Sequence, residues 1–467
     1  MQNINVEHPE YAACKGMWRK YNDLYVGGEQ FREHATEYLV RRNKEPTDVY
    51  YERLSRVFYE NYIGSIIDWY AATLIRREPI ISYAGVNKAG QQFFTAFADD
   101  CDLKGTRLAE FFRHQLVQAL IYGKSYIVVD FPRVIAPVAN RAQEDAIGKS
   151  RAFLAGYTPD EVINWSYDAN GQFDWVVLRT SWLRQTDAKN STWQKETRWI
   201  QYDRETFQIY QSFENSAGQH SKIDLVYQGR HGLAAQGKVP VFQMQLSGGL
   251  WLMNKAALLQ LEHFNKSNAL AWALTMGLFA MPVIYSEREW SQIVGESYYI
   301  QLGPDDRFGW TEPTGHVFQI ASDNLERLKD EMYRVCYQMA HAGSSSSTHT
   351  SQSGLSKQRD FSITQEVLRA YGDAMKHTMK QVLSAIEIAR QDGLAVDVSG
   401  LDEFDIGDFS TELDDAKKLL ELGIQSDTLK RQLFKRLTSK YFCDLSQDVK
   451  NTIANEIDRS FDSVAAK

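Results

Sequence analysis

A chain of 467 residues, 43% hydrophobic and 12% aromatic, is long enough for two to four packed units, and this composition excludes whole-chain disorder. The formal net charge of −8 excludes the overall basic footprint of an ordinary sequence-specific DNA binder. An acidic protein that handles DNA must place its cations locally or avoid gripping the backbone, as a channel would.

The four cysteines, Cys14, Cys101, Cys336 and Cys443, have neither zinc-ligand nor CxxC spacing. They are expected to be free thiols, mostly buried, in a reducing compartment. The first residues, Met1 to Glu7, carry no basic region and no apolar core, so no signal peptide is expected.

In chain order, residues 1 to about 80 read as helical. Leu54, Phe58, Tyr62, Ile66, Trp69 and Thr73 keep helical spacing through Tyr50–Ile75, and Arg76, Arg77 and Pro79 close the run. A second helix is predicted from about Arg107 to Tyr122. Gly123 then opens a strand over Ser125–Asp130. Gly123-Lys124-Ser125 imitates a nucleotide-binding loop. That motif needs a glycine five residues earlier, where Gln118 stands, and it joins a strand to a helix rather than a helix to a strand. The sequence favours a glycine at a helix C-terminus and a solvated Lys124.

From Tyr157 to Val241 the pattern turns to short β-branched and aromatic runs: Val176–Thr180, Thr197–Tyr202, Thr206–Tyr210 and Lys222–Tyr227. Asn170-Gly171, Asp203-Arg204 and Asn215–Gln219 separate them, which predicts an antiparallel meander. With the preceding helices this makes an α+β domain of about 240 residues.

A helix is predicted over Asn254–Met276. The uncharged stretch Ser267–Ser286 resembles a membrane span, but Gly277 and Pro282 interrupt it, so it reads as helix, turn, strand. His263, Asn265 and Lys266 share one helical turn with no carboxylate or second histidine at ligand spacing; they read as polar surface or subunit interface. One or two strands follow within Gly277–Ile320, and Asp323–Glu326 reads as a helix start.

Leu325, Leu328, Met332, Val335 and Met339 then step along one helix face. After Gly343–Gly354, which is almost pure hydroxyl and glycine, with His341 and His349 bracketing its serine run, Phe361, Val367, Leu368, Tyr371, Met375, Met379, Val382 and Ile386 continue the spacing to Gly393. Such a helix is a rod of about 50 Å, with Gly372 as a candidate kink. The uncharged tip between two rigid helices suits sliding contact with a polyanion better than catalysis. Lys357 and Arg359 are the nearest charges for phosphate. Asp397–Asp415 is acidic and reads as a solvated face. Three helices close the chain: Thr411–Leu422 stopped by Gly423, Asp427–Leu437 capped by Ser426, and Gln447–Arg459. No nucleophile elbow, HExxH motif or paired acid and base is visible.

Taken in order, these pieces resemble the portal proteins of tailed bacteriophages, in the siphovirus-like head-to-tail connector group. Tyr51–Arg56 with Phe58, Asn61 and Glu78-Pro79 is similar to that family's wing helix. Tyr122–Pro132 is similar to its glycine–serine–apolar strand ending in Val-Asp-x-Pro. Asn265–Asn268 with the Pro282 strand resembles the stem helix entering the clip, Ile300–Pro304 and the Ser344 hairpin resemble the clip and tunnel loop, and Leu422–Ser426 resembles the crown. Asp397–Asp415 and the residues after Tyr441 match no part of the family pattern.

The resemblance implies an α+β portal fold. It would divide into a wing (1–248, first part), a stem helix (249–276), a small α/β clip (277–320), a second stem helix (321–342), a tunnel loop (343–355), a long wing helix (356–395) and an α-helical crown (396–467). It implies a ring, commonly of twelve copies, in the virion at one capsid vertex, assembled in the host cytoplasm. Double-stranded DNA would pass along its axis. The terminase large subunit would dock during packaging and a head-completion (adaptor) protein afterwards, with major capsid and scaffolding proteins alongside. Ser344, Ser345, Ser346, Ser347, Thr348, His349, Thr350 and Ser351 would line the tunnel, with Lys357 and Arg359 as phosphate contacts. Twelve copies would carry a charge on the order of −100, a sign that repels DNA from the wall. No catalytic residue, metal, cofactor or membrane is implied. The competing readings are a terminase-like packaging enzyme and a capsid structural protein without a channel.

Overall fold

The computed structural model describes residues 4–76, 78–132, 143, 147–148, 150–185, 193–214, 221–277, 281–285, 305, 307–311, 315–338, 354–401, 409–423, 426–442 and 447–465. Helix and sheet are mixed, as an α+β chain requires. Two compact units are present. The first comprises 1–22, 66–254 and 361–467; the second comprises 23–65 and 255–360.

In the first unit, helix Leu108–Tyr122 is buried on nearly every side and ends at Gly123, whose φ of 84° is the left-handed conformation that a glycine adopts without Cβ strain. The chain turns directly into β2 (Lys124–Asp130). This is the central strand of a three-stranded antiparallel sheet, between β3 (Phe153–Tyr157) and β9 (Val241–Gln245). Gly156 lets Gln115 approach: a Cβ there would lie 2.0 Å from the Gln115 amide nitrogen. The meander is a five-stranded antiparallel sheet in sequence order, β4 (Val162–Tyr167), β5 (Phe173–Arg184), β6 (Gln194–Asp203), β7 (Thr206–Glu214) and β8 (Asp224–Arg230). Its expected turns at Asn170-Gly171 and Asp203-Arg204 are present. Asp203 closes the second by accepting from the Glu205 and Thr206 amides at 2.8 and 2.5 Å.

The long helix runs Gly354–Arg390, 37 residues and about 55 Å. Val367, Leu368, Tyr371, Met375, Met379, Val382, Leu383 and Ile386 form its buried face, as the spacing predicts. The Tyr371 hydroxyl donates to the Leu250 carbonyl at 2.7 Å. Gly372 serves close packing: a Cβ there would sit 2.1 Å from the Leu401 carbonyl oxygen. The helix ends in a buried pair, Arg390–Asp392 at 2.8 Å, with the guanidinium 3.7 Å from the Phe93 ring centre. The chain then enters β12 (Ala395–Ser399), which pairs antiparallel with β1 (Ile80–Ala84), more than 300 residues earlier. Asp397, expected on a solvated acidic face, is exposed, but it sits on a strand and pairs with Lys380 at 2.6 Å; residues 402–408 lie outside the described residues. The last helices are Phe409–Glu421, Asp427–Tyr441 and Gln447–Ala465, with Ser426 accepting from the Leu429 amide at 3.2 Å as an N-cap.

In the second unit, Phe31 stacks on Tyr59 (4.1 Å) and Tyr38 (5.1 Å) and meets Phe264 edge-on (4.9 Å). Buried Asp23 accepts from the Tyr38 hydroxyl at 2.6 Å and from Gln30 at 3.0 Å. The single helix expected over Tyr50–Ile75 is two, Thr47–Ser55 and Tyr62–Ile75. Asn61 caps the second by accepting from the Gly64 amide at 2.8 Å. Helix Leu252–Gly277 is followed by a hairpin of β10 (Met281–Tyr285) and β11 (Arg307–Thr311), then by helix Gly315–Val335. The last begins eight residues before the expected start at Asp323. That carboxylate accepts from Gln319 at 2.7 Å, a pair within the helix rather than a cap. No described helix is long and apolar enough to cross a membrane.

Candidate functional site

The residues assigned to the tunnel, Ser344, Ser345, Ser346, Ser347, Thr348, His349, Thr350 and Ser351, lie outside the described residues. Lys357 and Arg359 fall in the first turns of the Gly354–Arg390 helix; their side chains are likewise outside the description.

What is described is the helical frame leading to that segment. Helix Gly315–Val335 ends in a left-handed turn at Tyr337, φ 63°, closed by the Gln338 amide donating to the Tyr333 carbonyl at 2.8 Å. This is a position that normally goes to glycine. The Lys255 ammonium bonds the Tyr337 hydroxyl and lies 4.0 Å from its ring centre, which holds the strained residue in place. Cys336 beside it is buried, and burial pushes its thiol up to about 12. It is therefore an inert packing group rather than a nucleophile.

Helix Leu252–Gly277 carries a row of amide side chains that replace helix or strand partners for the 38–63 segment. Gln260, fully buried, accepts from the Tyr62 and Ile63 amides at 3.2 Å each and donates to the Glu60 carbonyl at 2.7 Å. Asn265 donates to the Tyr38 carbonyl at 3.0 Å and accepts from the Val40 amide at 2.8 Å. Asn268 does the same for Phe58, at 2.9 and 3.2 Å. These backbone groups would otherwise need water or a ladder.

His263 is buried against the Tyr62 ring (5.1 Å), with Nε2 3.6 Å from the Glu60 carboxylate. Burial pushes its pKa down, with Lys329 acting the same way and Glu60 opposing. The expected polar surface at His263 is therefore interior, while Lys266 is exposed and bonds Glu262 (3.0 Å) and Asn324 (2.9 Å). Gln260 is not singled out by the sequence, and Asn268 enters there only as the end of the Asn265–Asn268 segment. Their signal, amides on a helix whose apolar stripe is weak, does not name the backbone they bind.

The nucleotide-loop imitation is occupied by the protein itself. Lys124 is not solvated: its ammonium pairs with Glu10 at 3.0 Å and sits over Trp165, Trp18 and Tyr126 at 5.1, 5.7 and 5.9 Å. Among the described residues, no group of three or more His, Cys, Asp or Glu side chains could hold a metal ion. Cys14, Cys101 and Cys336 form no disulfide, with Cys101 and Cys336 buried and Cys14 half-buried. Cys443 lies outside the described residues.

Residues 253–384 match the model of a family described as a domain of unknown function, DUF4055. No curated protein sequence matches the chain. Among solved structures, the chain is similar to a chain from the neck of an empty GTA particle computed with C6 symmetry. That match has 12% identity and a TM-score of 0.46, covering 85% of this chain and 95% of the other. It is also similar to a chain from the virion of a native gene transfer agent (GTA) particle, with 13% identity and a TM-score of 0.41 over 85% of this chain and 96% of that one. A third likeness is to a chain from the neck of a native GTA particle computed with C12 symmetry, at 12% identity and a TM-score of 0.36, covering 80% and 89%.

Proposed function

We propose that this chain is a portal protein: a ring, commonly of twelve copies, set at one capsid vertex. DNA would enter and leave through it, and the terminase and then a head-completion protein would dock on it. The observation that supports this reading is the order of elements: helix Leu252–Gly277, the β10–β11 hairpin, helix Gly315–Val335, a hydroxyl-rich run and a 37-residue helix. From Thr364 to Arg390 the long helix has one continuous buried face, as a rigid strut needs. The run between the two helices offers hydroxyls that make weak, exchangeable phosphate contacts. A non-catalytic role is supported by the engagement of Lys124 with Glu10 and three rings.

Native mass measurement and two-dimensional class averages of the purified protein test the ring. The expected result is a closed oligomer with an axial hole wide enough for a duplex; a single chain under all conditions would overturn it. Deleting Ser344–Ser353 is expected to leave rings intact and impair packaging. Normal packaging by that deletion would remove the tunnel role. An ATPase assay on the isolated chain should find no turnover.

A further inference from the structure

We propose that the loop from Val40 to Lys44 is a preorganised contact for the phosphate backbone of duplex DNA. The loop carries Arg41, Arg42 and Lys44, three cations in four positions of a chain whose net charge is −8. All three are exposed, and Val40 beside them is 67% exposed. Among the described residues, neither Arg42 nor Lys44 has a carboxylate within salt-bridge distance. The next helix places Asp48 in its first turn, while its Glu52 is held by Arg56 at 2.9 Å.

A solvated charge run needs no fixed backbone, yet this one is fixed from beneath. The Arg53 guanidinium forks onto Glu45, Nε to Oε1 at 2.7 Å and Nη2 to Oε2 at 2.9 Å, with both side chains at most 5% exposed. Arg53 Nη2 also donates to the Val40 carbonyl at 3.0 Å, and Glu45 Oε2 accepts from the Arg42 amide at 3.0 Å. Asn265 holds the Val40 amide and the Tyr38 carbonyl. Arg41 Nη2 is steadied by the Glu45 carbonyl (2.8 Å) and Thr47 Oγ1 (2.9 Å), and Lys44 takes a left-handed φ of 60°. A buried ion pair is a poor source of stability compared with apolar packing. Here it fixes the geometry of a cationic surface, and fixing a loop in advance lowers the entropy lost on binding.

The chemistry fits phosphodiesters. Guanidinium groups fork onto phosphate oxygens, and an ammonium adds a point charge. Three cations within four residues, which span at most about 11 Å, face a polymer with one charge per about 1.7 Å of duplex axis, so up to three phosphates are in reach. The choice of duplex DNA as the polyanion rests on the portal reading; the loop's geometry does not.

The test uses the full chain and a short random-sequence duplex across a salt series. Each phosphate neutralised contributes about 0.9 to the slope of log affinity against log salt. R41Q/R42Q/K44Q is expected to flatten that slope by about 2 to 3. Asn265→Ala keeps the three cations but frees the loop; it should weaken binding while leaving the slope near that of the parent. Three results would overturn the proposal: no duplex binding by the parent, an unchanged slope in the triple variant, or equal loop-dependent binding of polyglutamate of matched charge, which would mark an acidic protein partner. Class averages of the same samples separate this from the ring. Intact rings with an unchanged slope sink the loop alone, and a loop-dependent slope without rings sinks the portal reading alone.

Discussion

Replacing Gly372 by Ala sets two effects of opposite sign against each other. In an exposed helix interior the change would stabilise by about 0.8–1.0 kcal/mol, because glycine pays more backbone entropy. Here the new Cβ would lie 2.1 Å from the Leu401 carbonyl oxygen and 3.2 Å from the Leu401 Cβ. Reaching ordinary contact needs a shift of about 1 Å, and the obstacle is main chain rather than a pliable side chain. Leu401 is itself buried and held at φ 59°, just after a strand anchored to β1. Overpacking of this kind costs about 1–3 kcal/mol. With the obstruction on main chain, the upper half of that range applies, and the net expectation is a loss of about 1–2 kcal/mol after the propensity gain. Urea melts at matched m-values would read it as a lower midpoint. Ser384→Ala, on the exposed face of the same helix, is the control and should gain about 0.5 kcal/mol. If Gly372→Ala gained stability as the control does, the long helix would not touch the Leu401 main chain and the packing described for it would be wrong.

Gln260→Leu should cost about 2–3 kcal/mol, because it strips the Tyr62 and Ile63 amides and the Glu60 carbonyl of partners in a buried setting; a change under 0.5 kcal/mol in denaturant melts would show that water replaces them. Arg53→Met leaves the buried Glu45 carboxylate without its guanidinium, with only the Arg42 amide donating to it, and should cost about 3 kcal/mol near neutral pH. Burial raises the Glu45 pKa, but Arg53 and the Arg42 amide more than offset this and hold it below its ordinary 4.5. Its contribution is therefore present above that value and fades as pH falls through the folded pKa, so the parent should lose stability there and Arg53→Met should lose less. Met375→Asp puts a charge where no surface is exposed and should prevent stable subunits; undisturbed rings in class averages would mean that face is solvated.

What could be read from the sequence was local. Gly123 at a helix end, the Asp203 turn, the Ser426 cap and the 3.6-residue stripe of the long helix all act within a few residues of their own position. The break between Ser55 and Tyr62 was not readable. Leu54, Phe58, Tyr62 and Ile66 keep helical spacing across it, while the backbone there is bound by Gln260 and Asn268 from about 200 residues away. The pairing of β1 with β12 was hidden for the same reason. Lys124 was misread because a lysine after a helix-ending glycine is usually solvated, and nothing near it in sequence announces Glu10, Trp18 or Trp165.

The same contrast bears on the proposed loop contact, because the polar seam specifies position as well as stability. An apolar stripe fixes that two elements pack, but tolerates sliding along the groove. Gln260, Asn265 and Asn268 each bind named backbone atoms, and Gln260 and Asn268 are themselves buried, so a shift of one residue would strand several polar groups at once. They fix the register of the 38–63 segment on the Leu252–Gly277 helix and, through Asn265, the position of Val40. The cationic loop is thus placed by specific hydrogen bonds rather than by general packing, and a surface meant to meet a regularly spaced phosphate chain needs that kind of placement.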